Sequence, residues 1–321
     1  MSIPVRQKGT YPKKENTMNR EMEVLRFLQE VTDTPPELPY EPTLFPMLFA
    51  VTREGSRSST HDLAQLIRKS QKLASRVLAV ANSSAYTTSA KVSSIERAVS
   101  VLGFNEVRSI VVMVSASYIV KKSPLPVRFD GLELWRHQIL TAEIAKIIGT
   151  ILTTLRSQQG MEQYSIVPDE LYAAGLLHDI GKAILATYRP QVWADIFSMT
   201  KSQNLSFAEA EQQYWGLGHG TIAAQLLRIW QLPPLLTDAI EWHNFPYEAM
   251  AHKTEAKILS AASAMAHNPP DANAPLPDAI VQLLPEGIDT DMVARLVRDT
   301  IERSPAAMLA RMVMVSQPGY S

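Results

Sequence analysis

Apolar residues in this chain recur at three- and four-residue intervals almost throughout, and the two-residue alternation of a half-buried strand is nearly absent. Met18, Met22, Leu25, Leu28 and Val31 keep the helical spacing until Thr34-Pro35-Pro36, where proline ends it. Residues 1 to about 16 read as disordered, and a proline-rich connector follows the first helix. From about Ser59, the positions Leu63, Leu66, Ile67, Leu73, Val77, Leu78 and Val80 predict one or two short amphipathic helices. The expected fold class is therefore all-α.

Local punctuation refines this. Ser93-Ser94-Ile95-Glu96 has the form of a capping box, Gly103 closes the helix it opens, and a second helix starts at Asn105. A helix-Gly-helix unit of this kind can read DNA, but the second helix here offers mainly Ile110, Val111, Val112 and Val114. A recognition helix needs an exposed polar face, so core packing is expected and nucleic acid is not. A long helix over about Gly131–Leu155 carries an inner stripe of Leu140, Ile144, Ile148 and Ile151 and an outer one of Arg136, Glu143 and Lys146. Residues 156–166 read as a loop, and Pro168 suits the first turn of the next helix, which runs through His178 and Asp179. Further helices are expected over Pro190–Lys201, Ser206–Tyr214, Gly218–Trp230, Pro234–Trp242 and Glu248–His267. Asn268–Pro277 is a linker by composition, with helices Ile288–Arg303 and Ala306–Val315 beyond it, and no internal repeat is visible.

Composition narrows the function. The 31 basic and 32 acidic residues leave a net charge of −1, so no overall field recruits nucleic acid or anionic membrane. Cysteine is absent, which removes disulfides, thiolate metal sites and a cysteine nucleophile together. The basic N-terminus lacks the apolar core of a secretory signal, and the apolar run from Ile110 to Val120 is broken by Ser115, Ser117 and Tyr118. A cytoplasmic location without membrane contact is the expectation.

The candidate chemistry is a set of inward histidines. His178-Asp179 lies in the apolar stretch Leu171–Leu185, where a carboxylate without a partner would be costly. His137 shares a helical face with Leu140, Thr141, Ile144 and Ile148; His219 begins a helix whose inner residues are Ile222, Leu226 and Ile229; His243 ends one that buries Ala239 and Ile240. Helical bundles build metal sites from side chains on facing helices, and imidazole with carboxylate suits iron, manganese, nickel or zinc. Each histidine alone would more often be a hydrogen-bonded core or helix-end residue.

Trp135-Arg136-His137, then Leu176-Leu177-His178-Asp179-Ile180-Gly181-Lys182, then His219, in that order, resemble the HD superfamily of metal-dependent phosphohydrolases. Leu73 to Tyr86, Val92 to Gly103, and Gly218-His219 through Trp230-Gln-Leu-Pro233 to His243 are more similar to one degenerate branch, the HDOD domain, related to HD-GYP phosphodiesterases. The resemblance covers about residues 40–268. It implies a multi-helix HD-like bundle with an N-terminal helical subdomain (41–128) and an HD-like part (129–268); the residue pattern adds a flexible basic N-terminus with one helix (1–40) and a linker with a small helical extension (269–321). It also implies His137, His178, Asp179, His219 and His243 as candidate metal ligands, with Ser263 where the superfamily places its last aspartate. No acidic residue lies between Glu255 and Asp271 to restore that charge, and the Gly-Tyr-Pro signature is missing.

The expectation that follows is a non-catalytic bacterial signalling or scaffold protein that contacts other signalling proteins, with a homo-oligomer possible and no cofactor required. The alternatives are a metal-dependent phosphohydrolase, in which Asp179 and Lys182 serve the reaction, and a metal or nucleotide sensor without turnover.

Overall fold

The computed structural model describes residues 14–36, 43–52, 56–83, 86, 91–121, 126, 129–160, 166–267 and 275–303. Among them sixteen helical segments follow one another and no strand occurs. They are α1 Lys14–Asp33, α2 Leu44–Val51, α3 Thr60–Arg68, α4 Gln71–Ala81, α5 Ile95–Leu102, α6 Phe104–Lys121, α7 Gly131–Gln158 and α8 Pro168–Leu177. The remainder are α9 Ile180–Tyr188, α10 Pro190–Gln203, α11 Phe207–Tyr214, α12 His219–Ile229, α13 Pro234–Trp242, α14 Lys253–His267, α15 Asp278–Val281 and α16 Thr290–Arg303. The expected helix Ala306–Val315, the expected disorder of residues 1–13 and most of the Asn268–Pro277 linker lie outside the described residues.

Several boundaries depart from the sequence expectation for identifiable reasons. The capping box does not form at Ser93 and Glu96: Ser94 is the N-cap and accepts from Arg97 N, while the Glu96 side chain is engaged by Arg68. Complete capping boxes occur instead at Ser59 with Asp62 and at Ser206 with Glu209. Helix α2 was hidden in the proline-rich stretch; Pro46 lies in its first turn, where its missing N–H costs nothing. The helix expected from Glu248 starts only at Lys253, because Asn244–His252 forms turns that include a left-handed His252 at φ 49°. Lys146 is not on an outer face; its Nζ lies 2.6 Å from Asp169 Oδ1 at the start of α8.

A large apolar core runs from α1–α6 into α8–α13, and a second forms between α7, α14 and α16. Phe27 against Trp215 and Phe45 against Trp230, with ring centroids 5.4 and 5.1 Å apart, tie α1 and α2 to the later helices. Each such buried ring contributes roughly 1.5–3 kcal/mol through the apolar surface it removes from water. Arg108 is buried and pins α6 to both sides: Nε donates to Thr52 Oγ1 at 2.9 Å, Nη1 to the Asp169 carbonyl at 2.7 Å, and Nη2 to the Thr52 carbonyl. By length and composition α7 could cross a bilayer; it is a mostly buried core helix lying against α8, α14 and α16. Gly175 sets the α7–α8 spacing, since a Cβ there would overlap the backbone of Ala142.

Candidate metal centre

The His178-Asp179 pair does not lie within one continuous helix. Helix α8 ends at Leu177 and α9 begins at Ile180, with Asp179 as the N-cap of α9 at φ −102°, ψ 6°. Its carboxylate does not cap α9, so the break turns the side chain into the bundle interior. Gly181 follows because a Cβ there would overlap the carbonyl of His219, which lets α12 approach this junction.

Around Asp179 the fold gathers His137 from α7, His178 from the junction, His219 from the first position of α12 and His243 from the C-cap of α13. All are 5% exposed or less. They form two donor sets, His137–His178–Asp179 and Asp179–His219–His243, sharing the one carboxylate, and within each set the ligand atoms lie within 4.8 Å of one another. In the first, His137 Nε2 is 3.2 Å from His178 Nε2, while Asp179 Oδ2 is 3.6 Å from the former and 3.5 Å from the latter. In the second, His219 Nε2 is 3.3 Å from His243 Nε2, and Asp179 Oδ1 is 3.0 and 3.9 Å from them.

Partners outside these sets fix the rings. His178 Nδ1 donates to the Gly175 carbonyl at 2.8 Å and His243 Nδ1 to the Ile240 carbonyl at 2.6 Å. His219 Nδ1 lies 2.6 Å from Glu211 Oε2, which also accepts the His219 backbone N–H at 3.0 Å. A proton held at Nδ1 leaves Nε2 as a lone pair, the form in which imidazole binds a metal. Three of the four rings thus aim a donor at Asp179, and with its carboxylate they fit a divalent cation. Such a cation would act as a Lewis acid and lower the pKa of a bound water.

Two features oppose that chemistry. Lys182, one turn along α9, places Nζ 2.7 Å from Asp179 Oδ2, so an ammonium already neutralises that oxygen. Ser263 on α14 puts its Oγ 3.2 Å from His137 Nε2, at the edge of the first set, and supplies a hydroxyl where a carboxylate would add charge.

The protonation states follow from burial and these neighbours. Burial, opposed by Asp179, pushes His137 down to about 2 and His178 down to about 4, and holds His243 well below its ordinary value. Burial also lowers His219, but the charge of Glu211, its bond to the ring and the nearby Asp179 carboxylate outweigh it and raise the ring. Burial opposes ionisation of Asp179, yet His178, Lys182 and His219 hold its carboxyl well below the usual carboxylate range. The cluster is therefore balanced without a cation: Lys182 sits on Oδ2, Glu211 faces His219 Nδ1, and His137, His178 and His243 are held neutral.

Sequence reasoning missed three residues here. Glu211 is fully buried on the same face of α11 as Ala208; that i, i+3 placement was its only signal. Asn244 follows His243, and its Nδ2 lies 2.9 Å from His243 Nε2 and 3.1 Å from His219 Nε2. His267 lies one turn after Ser263, its Nδ1 3.1 Å from the Ser263 carbonyl and its ring centroid 3.9 Å from that of His137. A helix that turns Ser263 inward necessarily brings His267 to the same face.

A family model for the HDOD domain matches residues 38–246, well over half of the 321 residues. The chain belongs to the HDOD family. An HDOD domain protein of unknown function from Geobacter sulfurreducens superposes with a TM-score of 0.64 at 19% identity, over 92% of this chain and 98% of that one. A candidate signal transduction protein from Marinobacter aquaeolei VT8 superposes at 0.72 with 22% identity, over 94% and 67%. At these identities the two establish the shared all-α HDOD fold. A candidate phosphohydrolase from Shewanella amazonensis SB2B is 25% identical, with a TM-score of 0.62 over 88% of this chain and 96% of that one. Among curated sequences, an uncharacterized protein of Treponema pallidum (strain Nichols) is 20% identical over 203 residues; the chain spans 37% of its length. The HDOD fold thus accompanies names from both signalling and hydrolysis.

Proposed function

We propose that this HDOD protein is a cytoplasmic bacterial regulatory module that acts through contacts with other signalling proteins and has no hydrolytic turnover. The observation that carries this reading is Ser263, a neutral hydroxyl 3.2 Å from His137 Nε2 where a metal-activating centre needs a carboxylate. Two further facts support it. Lys182 already supplies the positive charge that Asp179 requires, and His178, Asp179, His219 and His243 are at most 2% exposed.

The test is hydrolysis of an aryl phosphodiester, a nucleoside triphosphate and a cyclic dinucleotide with added Mn²⁺, Fe²⁺ or Zn²⁺. The expected result is no turnover above the metal-only rate. Turnover that disappears in a folded Asp179→Asn protein would overturn the reading in favour of a phosphohydrolase.

A second reading, a metal-responsive regulator without turnover, is favoured by one specific observation. Asp179 Oδ1 is buried and makes no hydrogen bond, while the imidazoles beside it have their Nδ1 atoms fixed so that Nε2 faces inward.

A further inference from the structure

The two donor sets around Asp179 are unequal, and a residue that belongs to neither marks the difference. Oδ2 serves the first set and is held by Lys182 at 2.7 Å. Oδ1 serves the second set, is buried, and makes no hydrogen bond. The second set also has both its rings fixed at Nδ1, one by Glu211 and one by the Ile240 carbonyl. In the first set His137 Nδ1 is buried without a partner, so no bond at Nδ1 frees the Nε2 of that ring as a lone pair. A cation that chooses between the two meets a corner with both rings preorganised and no ammonium in place only on the His219–His243 side.

The gap between those rings is filled by Asn244. Two imidazole lone pairs 3.3 Å apart repel unless a donor lies between them, and the Asn244 amide N–H₂ is that donor, at 2.9 and 3.1 Å. A side-chain amide carries its nitrogen and oxygen at near-equivalent positions, so a half-turn about the Cβ–Cγ bond replaces two N–H donors with one oxygen acceptor. We propose that Asn244 is a two-state ligand: its N–H₂ bridges His219 and His243 when no metal is present, and its Oδ1 completes a mononuclear divalent-cation site with these rings and Asp179 Oδ1. This rests on the metal-responsive reading and names its site.

The spacing agrees. Neighbouring ligand atoms at ~2.1 Å from one ion, in tetrahedral or octahedral arrangement, are separated by about 2.9–3.4 Å. Here the separations are 2.9 Å for Asn244 to His243, 3.1 Å for Asn244 to His219, 3.3 Å between the rings and 3.0 Å for His219 to Asp179 Oδ1. The Asp179 Oδ1 to His243 separation, 3.9 Å, is the one that must close. Two imidazoles with two oxygens suit cobalt, zinc, nickel, iron or manganese rather than calcium or magnesium. Asn244 also lines a cavity of about 340 Å³ beside Gln212, Thr221 and Phe245.

The experiment is titration of the untagged full-length protein with Co²⁺, followed by calorimetry and by the visible ligand-field spectrum, for wild type, Asn244→Asp, Asn244→Leu and His243→Ala. The expected wild-type result is one Co²⁺ per chain, lost in His243→Ala. Asn244→Asp, whose carboxylate needs no half-turn, binds at least tenfold tighter; Asn244→Leu binds at least tenfold weaker with an altered spectrum. Wild-type affinity and spectrum in Asn244→Leu, or no tightening in Asn244→Asp, would overturn the role of Asn244 while leaving the metal reading intact. No Co²⁺ uptake by the wild type would overturn the metal reading and this inference together. If Asn244→Leu does not fold, the Asn244→Asp result decides alone.

Discussion

Lys182 Nζ lies 2.7 Å from Asp179 Oδ2 and makes no comparable contact with Oδ1, so a single carboxylate presents one oxygen held by an ammonium and one that faces the rings of His219 and His243. Asp179 is 1% exposed, and removing the ammonium would strand its charge. Lys182→Met is therefore expected to destabilise the metal-free protein on the order of 3 kcal/mol, as when one partner of a buried pair is lost. Denaturant unfolding with and without Zn²⁺ checks this: the variant should recover more stability from the cation than the wild type does. Equal stability of the two metal-free proteins would mean that Lys182 does not neutralise Asp179.

Ser263→Asp places a carboxylate beside His137, whose Nε2 is 3.2 Å from the present hydroxyl. The variant is expected to add a second divalent cation per chain, at the first donor set, when metal content is measured after loading and dialysis. A metal content unchanged from wild type would show that Lys182, and not the missing carboxylate, closes that set.

Gly175→Ala drives a methyl group into the Ala142 backbone, where neither helix can give way. The expected cost is about 1–3 kcal/mol, typical of overpacking a dense interior. Cation uptake at the His219–His243 corner should change less than the stability, because the Gly175 carbonyl holds the ring of His178, which belongs to the other donor set, at 2.8 Å. Thermal unfolding and Co²⁺ titration of the same sample separate the two effects.

Glu106, half-buried on α6, gives the stability a pH dependence away from the metal centre. Burial and the nearby Glu143 push its carboxyl up to about 7, against a smaller opposing hydrogen bond from Tyr86. The folded protein therefore keeps a proton that the unfolded chain, with its ordinary value of 4.5, releases. The stabilising contribution is full below that ordinary value and is lost as pH rises through the folded value, at a cost on the order of 1–3 kcal/mol. Urea unfolding near pH 5 and near pH 8 should show the loss in wild type and a flatter profile in Glu106→Gln.

The helical class was legible because side-chain period is a local property: Leu63, Leu66 and Ile67, or Leu140, Ile144 and Ile148, declare a buried face within a few residues of one another. Boundaries were less so. Ser93 and Glu96 have the letters of a capping box, but the Glu96 side chain is claimed by Arg68, 28 residues away, and the helix starts one residue later. The break between α8 and α9 was likewise hidden, because the apolar pattern continues through both helices while the backbone turns at Asp179. Glu211 reads as a surface acid on α11 until α12 packs against it and its Oε2 meets His219.

By itself the sequence determined that the chain is all-helical, that His137, His178, Asp179, His219 and His243 lie on inward faces, and that no acid between Glu255 and Asp271 replaces Ser263. These follow from residue identity and helical period, which need no distant partner. Only the tertiary structure decided how the two oxygens of Asp179 are shared, which ring nitrogen carries each proton, and that Asn244 stands between His219 and His243. The reason is range: these properties depend on separations near 3 Å between groups such as His137 and Ser263, 126 residues apart, and only the packing of α7 against α14 sets them.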